Sequence, residues 1–331
     1  MKDLRNLKKI ELHRHLDGSV RLDTIIDLGK KYNINFGAGV DISDPHFKNK
    51  AQVLEPMNSL QEVLDCFWIL QKSMVNYEAI KRVAFENIED CFNDGIEQVE
   101  LRFAPTFIAE GKKLSYEEII EAVIDGVNKG LEKYPLEAGL IHIVPRALSL
   151  KDSEQATKEI LRFKEGKGKD LIVGFDLADG EDFDQIDRYI SVVEMAKKAN
   201  LGVTVHSGEN TSSSHIEKTI NTLSPDRIGH GIKIWNDKKV MDLALKKNIH
   251  FEVCPTSNWL TRCVENIEDH PIKNMLEAGL NVGLNSDDPN LMNIDLTHEY
   301  HVCKERLGMN LDHFKLMNKN ASLASFIPSK G

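Results

Sequence analysis

Positive charge is scarce in this chain. Its 331 residues carry 42 Lys and Arg against 52 Asp and Glu, a formal net charge of −10. Nucleic-acid binders usually carry a basic face, so this balance argues against a polyanion partner while leaving a small nucleoside ligand open. Long apolar runs are also missing. No stretch approaches the roughly 18 apolar residues of a membrane span. The opening Met1-Lys2-Asp3-Leu4-Arg5-Asn6 lacks the apolar core of a signal peptide. Cysteine is sparse: Cys66, Cys91, Cys254, Cys263 and Cys303 are odd in number, widely spaced and without C-x-x-C. Reduced thiols in a cytoplasm are the simplest reading. Low-complexity segments and identity repeats are absent, and the pattern specifies no oligomeric state. No G-x-G-x-x-G follows a candidate strand, which weakens an open doubly wound sheet binding a dinucleotide.

What is present is an alternation. Hydrophobic residues at 41% and charged residues at 28% are ordinary for a globular protein. Short β-rich runs are expected at 8–14, 98–103, 139–144, 171–176, 201–206, 227–229, 248–253 and 280–286. Amphipathic helices are expected between them. Ile80, Val83, Ala84, Ile88 and Cys91 share a face in 79–94; Ile186, Tyr189, Ile190, Val193 and Ala196 share one in 184–199. Another helix, 116–133, is expected to stop near Gly130. Eight strands alternating with helices predict an α/β fold, a single (β/α)8 TIM barrel, as one domain over 1–331. The stretch 20–95 is too long for one crossover and predicts extra helices inserted after the first strand, with 36–56 as a loop.

Active sites of such barrels lie at the C-terminal ends of the strands. His13 and His15 end the first strand, and residues two apart on a strand point to one face. His206 ends the run Leu201-Gly202-Val203-Thr204-Val205. His230 follows Arg227-Ile228-Gly229, and Asp287-Asp288 follow the last strand. One polar residue at a strand end is usually a cap or a solvated group; four strands delivering His or Asp to one end point to a shared metal site. Imidazoles and a carboxylate suit zinc. A water in the remaining position would have its pKa lowered toward neutrality. Glu209, three residues after His206, is placed to carry protons. His298-Glu299-Tyr300-His301 is not H-E-x-x-H and reads as helix packing. His215-Ile216-Glu217 matches the H-x-E of cytidine-type deaminases, whose P-C-x-x-C is absent. His46, His142, His250, His270 and His313 carry no partner signal. Leu60, Val63, Leu64 and Phe67 form an apolar stripe that reads equally as a lid over a pocket and as core.

Together these residues resemble the adenosine deaminase family over nearly the whole chain. The resemblance runs through Ile10-Glu11-Leu12-His13-Arg14-His15-Leu16-Asp17-Gly18-Ser19, Val99-Glu100-Leu101-Arg102-Phe103-Ala104-Pro105 and Gly174-Phe175-Asp176-Leu177-Ala178. It continues in His206-Ser207-Gly208-Glu209, Arg227-Ile228-Gly229-His230-Gly231, Cys254-Pro255-Thr256-Ser257-Asn258 and Ser286-Asp287-Asp288-Pro289. It implies a barrel with one Zn2+ per subunit that hydrolyses the 6-amino group of adenosine or 2′-deoxyadenosine in purine salvage. It further implies His13, His15, His206 and Asp287 as zinc ligands. Glu209 would protonate purine N1, His230 would orient and help deprotonate the water, and Asp288 would contact N7. Asp17 would meet ribose hydroxyls, and Ser257 would support the zinc aspartate. His15, Leu64 and Phe67 are further expected to border the substrate.

One departure stands out. The family usually reads Asp-Leu-Ala-Gly-Asp-Glu after the fourth strand, where the glycine amide contacts purine N3. This chain reads Asp176-Leu177-Ala178-Asp179-Gly180-Glu181, so either Asp179 or Gly180 supplies that amide, and the extra carboxylate bears on substrate preference. Ser207, where alanine is usual, is expected to matter little. A 5′-modified adenosine, adenine or adenosine monophosphate is the alternative substrate, although Asp17 would repel a 5′-phosphate. An amide or ester hydrolase with two metals is a further alternative; such sites generally use a bridging lysine after strand four, and none precedes Glu181 here.

Overall fold

The strands alternate with helices because each β-rich run is too apolar to face water and too short to form a core alone. In the computed structural model, which describes residues 4–37, 39–57, 60–181 and 185–328, eight parallel strands pair in sequential order. They are β1 (Lys9–His15), β2 (Ile96–Phe103), β3 (Glu137–Pro145), β4 (Ile172–Ala178), β5 (Gly202–Ser207), β6 (Arg227–His230), β7 (His250–Val253) and β8 (Asn281–Leu284). Every expected run is a strand, with no end moved by more than two residues. β4 is buried throughout, as expected of a parallel sheet covered by helices on one face and closed on itself on the other. The last strand meets the first at a bridge between Arg14 and Asp287. There His15 N–H donates to Asp287 O at 2.8 Å and Asp287 N–H to His13 O at 2.9 Å. The fold is thus an α/β TIM barrel.

The insertion after β1 holds helices Leu22–Tyr32, Lys48–Ala51, Leu60–Ser73 and Tyr77–Asn93. The expected loop at 36–56 therefore contains a helical turn, and Phe36 and Phe47 bury there with their rings 6.4 Å apart. Asn76 starts Tyr77–Asn93 by accepting from Ala79 N–H at 3.0 Å. Helix Tyr116–Leu131 starts on a capping box of Ser115 and Glu118. The helix ends at Leu131, one residue past Gly130, as expected. A Cβ on Gly130 would come within 2.6 Å of Ile88, and one on Gly126 within 2.4 Å of Lys81 O, so both glycines let two helices pack closely. The expected helix 184–199 begins as a 3-10 turn, Ile186–Tyr189, and continues as Ile190–Lys198; residue 184 lies outside the described residues. No helix among the described residues is long and apolar enough to cross a membrane.

Candidate active site

The polar residues expected at the strand ends converge on one mouth of the barrel. His13 is fully buried, and its ring centroid lies 5.3 Å from that of His15, 4.7 Å from His206 and 4.8 Å from His230. Buried carboxylates turn two of these rings. His13 Nδ1 lies 2.9 Å from Glu252 Oε2 on β7, and His206 Nδ1 lies 3.1 Å from Asp176 Oδ1 on β4. Arg102 on β2 joins both acids, each at 2.8 Å. A ring that donates Nδ1–H to a carboxylate keeps its lone pair on Nε2.

For His13 that lone pair faces a carboxylate. His13 Nε2 and His15 Nε2 lie 3.2 and 3.3 Å from the same Asp287 Oδ1, and His13 Nε2 is buried without a hydrogen-bond partner. Burial and Arg102 press the His13 imidazole down, yet Asp287 and Glu252 outweigh them and hold it above its ordinary range. The space between Nε2 and Asp287 therefore favours positive charge. Burial holds His15 and His230 well below their ordinary range, so both are neutral. Against the desolvation cost of burial, His13, His230 and His15 keep Asp287 well below the carboxylate range. Ser257 Oγ donates to Asp287 Oδ2 at 2.7 Å. His13, His15 and Asp287 offer ligand atoms within 4.8 Å of one another, as do His13, His206 and His230, and His230, Cys254 and Asp287. Neutral imidazoles with an ionised carboxylate fit a divalent cation of zinc type.

Two further groups face this point. Glu209 Oε2 lies 3.8 Å from His230 Nε2. Burial, then Asp287 and Glu181, push the Glu209 carboxyl up to about 8, so it keeps its proton at neutrality. Glu181 fixes the turn that carries it, accepting from Gly208 N–H at 3.0 Å and Glu209 N–H at 2.9 Å. His230 and Asp287 hold left-handed backbones, with φ of 58° and 62°. Non-glycine residues rarely adopt that conformation, and it gathers at functional sites. The Asn258 amide nitrogen lies 3.1 Å from His230 Nδ1, and its oxygen 3.2 Å from His270 Nε2, so Asn258 steadies the His230 ring.

A cavity of about 160 Å³ opens beside the histidines, lined by His15, Asp17, Leu64, Phe67, Asp179 and Asp288 among others. Val63 lines it too, which places the apolar stripe over a pocket; the side chain of Leu60 lies outside the described residues. Burial, then Asp287, Asp17 and Glu209, lift Asp288 well above the carboxylate range, so it bears a proton. Burial pushes Asp17 up to about 7; Gln71 Nε2 donates to its Oδ2 at 2.6 Å, and its Oδ1 is buried without a partner. Gly180 is not among the lining residues. Its N–H donates to Asp179 Oδ1 at 2.8 Å, and Ala147 N–H donates to Asp179 Oδ2 at 3.1 Å.

Some sequence signals go elsewhere. His298 and His301 sit on helix Leu296–Glu305, outside these ligand groups. His215 Nδ1 lies 2.7 Å from Ser207 Oγ and 3.7 Å from Glu181, bracing the Glu209 turn; Ser207 thus has a larger structural part than expected. Glu252, Asp176, Arg102 and Glu181 were not picked out as functional. For Glu252, Asp176 and Arg102 the signal was a charge inside an apolar strand, as in Phe251-Glu252-Val253, because an unpaired buried charge is too costly to keep, whereas Glu181 lies in the turn after β4 and carried no such signal.

Imidazoles oriented by buried acids beside an ionised carboxylate could hold a divalent cation at this mouth of the barrel. Residues 8–331 match the adenosine deaminase family model. The chain belongs to the adenosine deaminase family and is a hydrolytic deaminase. It is 36% identical over 328 residues to an adenosine deaminase of Clostridium botulinum (strain Loch Maree / Type A3), covering 99% of this chain and 96% of that one. Adenine deaminase from Arthrobacter aurescens shares the fold, with a TM-score of 0.86 and 23% identity over 97% of this chain and 94% of that one. An Arabidopsis N6-mAMP deaminase has a TM-score of 0.83 and 25% identity over 98% and 95%.

Proposed function

We propose that residues 1–331 act as one domain that hydrolyses adenosine and 2′-deoxyadenosine to inosine and 2′-deoxyinosine, releasing ammonia, in cytoplasmic purine salvage. One Zn2+ per subunit would be held by His13, His15, His206 and Asp287. When bound, the ion lowers the pKa of a coordinated water and so supplies the nucleophile. The observation that carries this reading is Glu209 set 3.8 Å from His230 beside the cluster of His13, His15 and Asp287.

The remaining chemistry belongs to this chain's side chains. Glu209 donates its proton to purine N1, which lets the ring accept electron density as the water oxygen adds to C6. His230 orients that water and takes its proton. The proton held by His230 passes to the 6-amino group, the C6–N bond breaks and ammonia leaves, and the C6 hydroxyl returns a proton to Glu209 as the C6=O forms. Asp288, carrying a proton, donates to N7, which an ionised carboxylate could not do. Asp179 N–H is the amide for purine N3, because Gly180 N–H is already used by the Asp179 carboxylate. Asp17 Oδ1, buried and unpartnered, accepts from a ribose hydroxyl. Leu64 and Phe67 cover the base. Groups fixed before reaction stabilise developing charge without reorganising.

Adenosine is favoured over adenosine monophosphate by Asp17, whose carboxylate at the sugar end disfavours a phosphate. The lack of lysine between Phe175 and Glu181 disfavours the two-metal amide or ester hydrolase. Ammonia release from zinc-loaded protein, offered adenosine, 2′-deoxyadenosine, 5′-methylthioadenosine, adenine and adenosine monophosphate, tests the reading. Fast turnover of the first two is expected. Turnover of only a 5′-modified nucleoside moves the substrate, and no ammonia from any removes the purine assignment.

A further inference from the structure

The floor of the barrel, opposite the active-site mouth, is covered in part by the segment after the last helix. After helix Leu311–Ala324, Phe326 lies under β4 and β5. A Cβ on Gly174 would come within 2.7 Å of its ring, and one on Gly202 within 2.1 Å. Ile327 lies under Gly139 of β3, 2.9 Å from where a Cβ would be. Three strands thus carry glycine where these two side chains enter.

Phe326 does more than fill space. Its ring lies over the Arg227 guanidinium, 3.6 Å from centroid to Cζ. Its N–H donates to Glu100 Oε1 at 2.6 Å, and Ser325 Oγ donates to the same oxygen at 2.7 Å. Arg227 Nη2 donates to Glu100 Oε2 at 2.6 Å, and Arg227 Nε lies 2.6 Å from Glu252 Oε1. The other Glu252 oxygen meets His13 Nδ1 at 2.9 Å. Glu100, Arg227 and Glu252 side chains are at most 1% exposed. An unbroken buried line of charge therefore runs from the C-terminal segment to an imidazole at the opposite end of the barrel.

We propose that Phe326 and Ser325 are positioning residues for His13, acting through Glu100, Arg227 and Glu252 to hold that imidazole in its metal-binding orientation. The inference rests on the metal reading above. Glu252 turns His13 only while its own carboxylate is held, and Arg227 holds one of its oxygens by charge at 2.6 Å, without a hydrogen bond. The Phe326 ring keeps water from the guanidinium and attracts it directly. Screened by water, Arg227 would pull less on both acids. Arg102 holds Glu252 from the other side, so loss of the floor contact loosens His13 without releasing it.

Zinc-loaded wild type, Phe326→Ala, Ser325→Ala and Ile327→Ala are mixed with excess chromogenic chelator, and zinc release is timed beside thermal melts. Losing a ligand's hydrogen-bond partner outright weakens metal binding by about 10–100-fold; at two steps' remove, release about tenfold faster is expected for Phe326→Ala and about threefold for Ser325→Ala. Ile327→Ala, which empties the same floor without touching the charged line, should stay within about twofold of wild type. Release that follows melting temperature, with Ile327→Ala as fast as Phe326→Ala, overturns the proposal, as do four equal rates. If Phe326→Ala does not fold, Ser325→Ala against Ile327→Ala decides in the same way. Wild type that takes up no zinc overturns the metal reading itself and this inference with it.

Discussion

The Asp179 carboxylate is occupied by the amides of Ala147 and Gly180, and its backbone holds φ at 82°. That is a conformation glycine adopts freely and aspartate tolerates better than most residues. Asp179 thus sits in a turn that also suits glycine, which no reading of charge along the chain could show. Asp179→Gly should leave kcat/KM for adenosine within about threefold, because the exposed hydrogen bonds it removes contribute little net free energy. A larger loss in steady-state kinetics would place the carboxylate in substrate binding. Glu209 carries a sharper expectation. An acid lifted to about 8 keeps its proton through neutrality and loses it as pH rises. The pH profile of kcat/KM should therefore fall on the alkaline side above about 8, where Glu209 can no longer donate. Glu209→Gln should keep its zinc by metal analysis yet lose about 10²–10⁴-fold in kcat, the usual weight of a positioned proton donor. The histidines and Asp287 were legible because they punctuate strand ends. Their partners Glu252 and Asp176 were harder to see, because pairing depends on which strands face each other across the barrel.

Helix Leu60–Ser73 is held at its C-terminal end and presents Leu64 and Phe67 to the cavity. Lys112 Nζ donates to Gln71 O at 2.9 Å, and Lys72 Nζ to Phe36 O at 2.8 Å. Positive charge suits the negative end of a helix dipole. Phe67→Ala removes apolar cover from the base end of the pocket but nothing that handles protons. KM for adenosine should rise about 10- to 100-fold, as expected for about 1.5–3 kcal/mol of buried aromatic surface, while kcat changes little. A drop in kcat with unchanged KM would contradict the covering role. Element types were readable from periodicity. The end near Gly130 was readable too, for the helix stops at Leu131; what was not readable is that Gly130 also lets Ile88 approach closely, a requirement set by another helix.

At the scale of the molecule, the eight-strand closure was legible as a count of β-rich runs, whereas the floor was not. Gly139, Gly174 and Gly202 look unrelated in sequence until Phe326 and Ile327 are seen beneath them. Gly202→Ala should lower stability by about 1–3 kcal/mol through overpacking, read as an earlier denaturation midpoint. An unchanged midpoint would mean that Phe326 does not seat there. The seam between β8 and β1 has a consequence in time. Leu12 and Asn285 are bonded across it although 273 positions apart, and His13, His15 and Asp287 sit on its rim. Synthesis proceeds from the N-terminus, so a ribosome exposes the first two of these residues long before the third. A nascent chain would have no complete cradle for an ion until its last strand docks. Metal uptake would then wait on the docking of the last strand.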